Sequence, residues 1–506
     1  VILGATNVDA GSPAAQGGGA TLDDLFRRAV AARPDAPALI DPPDRASFTD
    51  GAPRHLTWAQ ADRVVSAIAN LLRSLALPSG AIVALQLPNV AEGVLALMGV
   101  LRAGLIAAPL PLLWRQADAC AALGRVSARV LVSCRRVGEV DHTELAMHVA
   151  AETFAIRFVC AFGHPIPDGI IPLDEVFDAA LPAPPPPLDR NDDPAGRTAV
   201  VTFDISADGL IPIARSHREL IAAGEAVSAA AGLASGCTLL AAVMTASFAG
   251  LGSTVVPWLL SGGTLQLNQP FDPAALTAQP WDAAVLPGPL LPRLAEAGLL
   301  GSPGKTILAV WRAPERLRIG AAWLGAARVV DVPVFGEVAL LALPRESDGA
   351  PAELPAATSA AAGLELMRTT SGTLCVRGAM VPAHPCPPGS PRGAQFNLTV
   401  GPDGFADTYF PCHVDRATGR LVLDGPPSGV VSVGGYRFAV RDLQDAVVPL
   451  DPDGSIAPLP DALAGHRLAG IGGDRGAICD KLAEQGANPL VLGAFREKRP
   501  GRASAA

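Results

Sequence analysis

At 506 residues the chain exceeds the roughly 250–300 at which a single hydrophobic core stops growing, so two to four structural units are expected. Hydrophobic residues make up 49% and charged residues 17%, which excludes a disordered chain or a coiled coil. Asp plus Glu number 48 against 39 Lys plus Arg, and a net charge of −9 without a long basic run argues against a nucleic-acid partner. Of the basic residues three are lysines, Lys305, Lys481 and Lys498, which limits any mechanism that needs one. The eight cysteines are scattered without a C-x-x-C pair, so neither a zinc knuckle nor a disulfide framework is indicated, and a reducing cytoplasm is the expected compartment.

Residues 1–19 lack the basic flank and apolar core of a secretory signal and read as a flexible tail; the missing initiator Met leaves the true start open. Thr21 and Asp24 have capping-box spacing, and Leu22, Leu25, Phe26 and Val30 recur behind them at helical intervals. Residues 56–77 place Trp58, Val64, Val65, Ile68, Leu71, Leu72 and Leu75 on one helical face, and Gly80 then leads into the apolar run 82–87. A helix over 90–101 and a second apolar run over 105–110 complete a βαβ pattern, which predicts a parallel sheet that continues through 129–134 and 157–161. The run LPAPPPPLDRNDDPAG, residues 181–196, cannot continue helix or sheet and predicts an extended connector. Beyond it, strands are expected near 198–203, 239–243, 264–267, 283–286, 307–311 and 327–332. Residues 239–260 carry no charge for 22 positions, but Gly250, Gly252 and Pro257 interrupt them and Ser-Gly-Gly-Thr follows, so a buried α/β core segment is read in place of a membrane span. Short β signals over 373–423 enclose a second Pro-rich stretch at 381–393. The fold class expected is therefore α/β: an N-terminal lobe over 20–190, a second lobe over 197–345, a small β subdomain over 360–425 and a reduced α+β unit over 433–506.

The order of these segments resembles the AMP-forming acyl-CoA synthetases of the adenylate-forming superfamily. The segments LTWAQADRVVSAIANLLRSLAL and GAIVALQLPNVAEGVLALMGVLRAGLIAAPLP resemble its N-terminal lobe. LLSGGTLQL, TLCVRGAMV, DGFADTYF, VGGYRF with RDLQDAV, and LPDALAGHRLAG follow in the family's order, over about residues 20–480. The resemblance implies a carboxylate attacking the α-phosphate of ATP to give an acyl-adenylate, from which a thiol, usually coenzyme A, displaces AMP. It also implies a loop with backbone N–H groups and a lysine for the phosphates, a Glu for Mg²⁺, an Asp for the ribose and a second lysine at the transferring group.

The sequence departs from that pattern where the chemistry resides. The family's Thr-Ser-Gly-Thr-Thr-Gly-x-Pro-Lys-Gly is replaced by TFDISADGLIPIARSHREL, residues 202–220, in which Ser206 and Gly209 still suit a phosphate while Asp204 and Asp208 add negative charge. The alternative reading is a connector turn stabilised by Asp side chains. Thr-Gly-Asp becomes Thr408-Tyr409-Phe410, and Gly425 to Ser432 lack the hinge Arg, acid and Lys, with Pro426-Pro427 stiffening the junction. Glu337 falls at the magnesium-binding position, against the reading of an exposed turn Glu; Asp331, earlier in the same segment, is counted with the nucleotide-site positions. Arg312 would crowd the adenine floor unless it pairs internally with Glu315. Ser247, Phe248 and Phe335 are placed at an acyl pocket or, alternatively, in the core. His217, His384 and Cys386 are read as structural, and Lys498 as part of a solvated charge run in place of the terminal catalytic lysine. No metal site and no cofactor are expected; if the chain is active, ATP, Mg²⁺ and coenzyme A are implied. The expected role is that of a degenerate homologue, either docking a protein partner or a second copy or binding an acyl or aryl carboxylate. The alternatives are an active ligase with an altered ATP site, and a structural subunit without a ligand.

Overall fold

A computed structural model describes residues 19–178, 193–269, 271–298, 303–323, 325–356, 360–361, 363–389 and 398–496. The expected N-terminal tail up to residue 18, most of the Pro-rich connector, residues 390–393 of the second Pro-rich stretch and Lys498 lie outside these.

The protein is α/β, with two largely parallel sheets. The first runs Gly209–Ser216, Thr198–Ser206, Ile106–Pro109, Ile82–Leu85, Val130–Cys134, Phe158–Phe162, Ile171–Pro172, parallel throughout except for its first, antiparallel pair. The second sheet is parallel from Pro37–Ile40 through Thr264–Leu267, Thr238–Ala241, Ala283–Pro287 and Thr306–Trp311 to Arg328–Phe335, and antiparallel strands close both ends. Its central strands are buried on both faces, which is why they read as continuous apolar runs.

Sheet membership is exchanged between the two halves of the chain. Leu39, before the Pro-rich connector, pairs with Leu265 of the second sheet, whereas Val200, after it, pairs with Ala107 of the first. Adjacency in a sheet is set by which strand edge is free, and sequence order does not encode that. A five-stranded antiparallel sheet covers 360–423. The C-terminal unit follows with two hairpins, Val430–Val433/Tyr436–Ala439 and Ser455–Asp461/Gly465–Ile471, and the helices Val440–Val447, Arg475–Glu484 and Pro489–Phe495, around an apolar cluster of its own.

Helix starts are set locally. The Thr21–Asp24 capping box is formed, and Thr57–Gln60 and Ser216–Glu219 make two more. The uncharged stretch 239–260 divides into strand, loop and helix; no described helix is long and apolar enough to cross a membrane. Its Trp258 stacks on Trp58 with centroids 4.7 Å apart, and Phe26 meets both edge-on, so three segments distant in sequence share one aromatic core. Arg102, fully buried beside them, is matched by Asp23 at 2.8 Å and Asp62 at 2.6 Å.

Truncation of this aromatic core should be costly. Trp258→Ala is expected to lower stability by about 3–5 kcal/mol. By contrast Phe154→Ala, at a ring that is 93% exposed, should stay within about 0.5 kcal/mol. Urea denaturation of both variants beside the parent chain checks the contrast.

Candidate functional site

The segment in the phosphate-loop position is a tight hairpin. Thr198–Ser206 and Gly209–Ser216 pair without interruption from Val200 to Ser206, leaving Ala207 and Asp208 as a two-residue turn. Ser206 Oγ accepts from Asp208 N–H at 3.2 Å and donates to Gly209 O at 3.2 Å, and Gly209 supplies the φ of +110° that follows the turn. The expected stabilisation of this turn by Asp side chains is therefore corrected: Ser206 holds it, Asp208 is exposed at its tip, and Asp204 faces inward.

Asp204, half-buried, and Glu337, buried, form the centre of a charge cluster. Arg437, from the C-terminal unit, donates to Asp204 Oδ1 at 2.9 Å, and the Glu337 N–H donates to Asp204 Oδ2 at 2.8 Å. Gly336 makes this approach feasible, because a Cβ there would lie 2.0 Å from Asp204 Oδ2. Glu337 is 3% exposed; its Oε2 accepts from Phe248 N–H at 2.6 Å and its Oε1 lies 3.5 Å from Arg312. The exposed-turn reading of Glu337 is thus overturned, since the turn after Arg328–Phe335 folds inward against Asp204. Burial pushes the Glu337 carboxyl upward; Arg312 opposes the rise and the Asp204 charge adds to it. Arg312 pairs with Glu337 and lies near the Tyr436 ring, in place of the expected Arg312–Glu315 pair. Glu315 keeps a buried oxygen without a hydrogen-bond partner, and burial raises its pKa.

Arg215, which sequence reasoning did not single out, lies beneath this turn. It is buried, donates to Glu337 O and Val338 O at 2.6 Å each, and lies 3.7 Å above the Phe248 ring. Burial lowers its pKa to about 10. The only signal was an arginine directly before the helix-starting Ser216. Phe248 and Phe335 are fully buried, with Phe335 edge-on to Phe410, and Ser247 caps the short helix that Phe248 begins.

Asp331 lies apart from this cluster with its carboxylate saturated, accepting from Trp311, Arg345 and Ala352, which leaves it no free oxygen for a nucleotide. Its place among the nucleotide-site positions is therefore corrected. Thr408 Oγ1 donates to Leu374 O at 2.7 Å inside a bulge, where Thr373 pairs with Pro411 and Cys375 with Asp407. Tyr409, at the bulge, has a left-handed φ of +60°. His217 is structural as read: its Nδ1 accepts from Leu22 N–H, and burial lowers its pKa to about 4. Among the described residues no three His, Cys, Asp or Glu side chains are grouped to hold a metal ion.

The C-terminal unit is anchored at several further points. Arg316 donates to Leu463 O and Ala462 O, Ala117 N–H donates to Gly486 O, and Asn488 Nδ2 lies 3.4 Å from Asp118 Oδ2. Around the charge cluster about 40 Å³ of space remains, walled by Trp114, Arg312, Glu337, Tyr436 and Arg437. A second cavity, of about 290 Å³, shares Asp204, Ile205 and Arg437 with that space and opens between the hairpin tip, the Thr408–Tyr409 bulge and the Pro427–Ser428 junction.

Two outcomes test this anchoring. Arg437→Ala leaves the half-buried Asp204 without its cation, so limited proteolysis near the 425–429 junction should accelerate at least tenfold; an Asp204→Ala/Arg437→Ala cycle should show a coupling of about 1–3 kcal/mol. Asp118, half-buried against Asn488, has its pKa raised by burial to about 6. A carboxyl raised in the folded state contributes stability below its unfolded pKa and loses it as pH rises through about 6. Asp118→Asn should flatten the stability change between pH 4 and pH 7 relative to the parent chain, as read by thermal unfolding at each pH.

Residues 26–196 match the family model of AMP-binding enzymes. No curated protein matches the chain by sequence. Among solved structures the chain is similar to apo MbtA of Mycobacterium smegmatis, at 20% identity and TM-score 0.65 over 93% of this chain and 89% of that one. It is also similar to the amide bond synthetase McbA of Marinactinospora thermotolerans, at 18% identity and TM-score 0.67 over 92% and 94%. An artificially fused adenylation–PCP di-domain, NpsA–ThdA from Klebsiella oxytoca, aligns at 16% identity and TM-score 0.65 over 93% and 92%. Residues 26–196 thus carry the sequence signature of AMP-binding enzymes, and the fold of the whole is similar to that of these solved structures.

Proposed function

We propose that this protein is a superfamily member that does not carry out ATP-dependent adenylation, and that it acts in the cytoplasm as a static body that binds a protein partner, a second copy of itself or a carboxylate ligand. The observation that carries this reading is the charge cluster. Arg312, Glu337, Asp204 and Arg437 alternate in sign within the cleft; about 40 Å³ is left beside Arg312 and Glu337, and Asp204 and Arg437 also edge the cavity of about 290 Å³. The side chains present do not fit a nucleotide with Mg²⁺. Arg437, which could meet a phosphate, is spent on Asp204, and Glu337 Oε2 is taken by Phe248 N–H. The hairpin tip offers Ala207 and Asp208 and no lysine. Each preorganised donor lost at a developing charge typically costs about 10²–10³ in rate, and several are replaced together.

The anchoring at Arg316, Ala117 and Asn488 supports a fixed C-terminal unit over 433–506 beside a β unit over 360–425, while the lobes expected at 20–190 and 197–345 exchange the segments 37–57 and 198–216. A carrier-protein partner is consistent with the adenylation–PCP pairing of NpsA–ThdA. The cytoplasmic assignment rests on eight cysteines that are all free thiols. A second reading, an active ligase using ATP, Mg²⁺ and coenzyme A, is favoured by one observation, a Glu at position 337, but that carboxylate is engaged inside the fold.

Calorimetry with ATP·Mg²⁺ and with AMP tests the reading, and no heat of binding at millimolar ligand is expected. Micromolar affinity, or carboxylate-dependent pyrophosphate release at about 1 s⁻¹ or more, overturns it in favour of the ligase.

A further inference from the structure

The cavity at the meeting of three units has a chemistry unlike that of a phosphate site. Its walls come from the hairpin of the first sheet (Ile205, Ile211, Ile213), from the bulge of the small β sheet (Tyr409) and from the junction before the C-terminal unit (Pro427, Ser428). At about 290 Å³ it is at the small end of ligand cavities, and junctions between units are where such cavities concentrate.

Two features of its lining need a cause. Tyr409 holds φ at +60°, a conformation that a non-glycine residue adopts at a cost, and its side chain is 37% exposed. The ring is only partly covered, with its hydroxyl 3.5 Å from Thr399 Oγ1. The second feature is charge. Arg437 is the one cation among the described lining residues, and it is paired with Asp204 at 2.9 Å, whose other oxygen accepts from Glu337 N–H. Asp208 is an exposed carboxylate with no ion pair seen among the described residues, whereas Asp442, its carboxylate 3.5 Å from where a Cβ on Gly209 would lie, is answered by Arg441 and Arg125. The cavity therefore combines apolar walls, an accessible aromatic ring and one exposed carboxylate at its rim.

We propose that this cavity binds a small arylalkylamine, with its planar ring against Tyr409 and the apolar walls and its alkylammonium at Asp208. Aromatic contact with Tyr409 favours a flat ring, and the exposed carboxylate favours a cation over a phosphate or carboxylate. Because the walls belong to three units, the ligand would hold the C-terminal unit to the body, and binding would raise the stability of that junction. The proposal rests on the reading above that no nucleotide occupies this junction.

Tryptamine serves as the probe and indole-3-acetate as the anion with the same ring system. Calorimetry and saturation-transfer NMR on the full chain should show tryptamine binding at least ten times more tightly than indole-3-acetate. Asp208→Asn, at an exposed turn tip, should weaken tryptamine at least tenfold. Tyr409→Gly should do the same while its thermal midpoint equals or exceeds that of the parent chain, since glycine accepts the left-handed conformation; a residue kept for packing would lower the midpoint instead. Absence of tryptamine binding, equal or tighter binding of the anion, or unchanged affinity in Tyr409→Gly would each overturn the proposal. ATP·Mg²⁺ titrated into the same samples separates the two readings: its binding removes the non-adenylating function, whereas failure of tryptamine alone removes only the amine site.

Discussion

Two carboxylates, Asp204 and Glu337, share the interior of the cleft, and the arrangement around them depends on keeping that pair neutralised. Neighbouring buried acids repel, and the Asp204 charge indeed helps to push the Glu337 carboxyl upward. The repulsion is met by placing Arg437 on the outer side of Asp204 and Arg312 on the outer side of Glu337, with the Glu337 and Phe248 N–H groups donating between them. One of those arginines belongs to the C-terminal unit. Neutralising the cleft and docking that unit are consequently the same event, and the unit cannot move away without stranding Asp204 in a partly buried position.

The composition takes on meaning in this light. Arginine far outnumbers lysine, and several arginines work inside the fold. Arg215 forks onto two carbonyls and covers the Phe248 ring, Arg345 grips both oxygens of Asp331, Arg45 bridges Asp41 and Glu92, and Arg102 joins Asp23 to Asp62. A planar guanidinium can serve two or three acceptors at once and can lie flat on an aromatic ring, which an ammonium on a flexible stem does poorly. Several cations have been drawn into internal wiring, and none of the three lysines stands at the sequence positions where the family's phosphates would require one.

The same economy explains why the site residues were harder to read than the fold. Asp331 looked available and is saturated by Trp311, Arg345 and Ala352. Glu337 looked like a turn residue at the surface and is buried by a glycine that admits Asp204. Arg312 had an acid three positions away, yet it turns to one 25 positions away in sequence. In each case the residue type was visible and its partner was not, because buried ion pairs choose partners across elements and no periodicity records the choice.

What the sequence determined by itself is local: the Thr21–Asp24 cap, the apolar runs that became Ile82–Leu85, Ile106–Pro109 and Thr264–Leu267, and the turn chemistry between them, all governed by interactions within a few residues or by burial on both strand faces. The order of such segments was also enough for a fold. Tertiary structure alone decided that residues 37–57 would join the second sheet and 198–216 the first, that Tyr409 would take a left-handed conformation at a cavity wall, and that Arg437 would travel from the C-terminal unit to Asp204. These outcomes depend on which strand edges and which buried charges are left unmatched once the rest of the chain has packed, a condition that exists only in three dimensions.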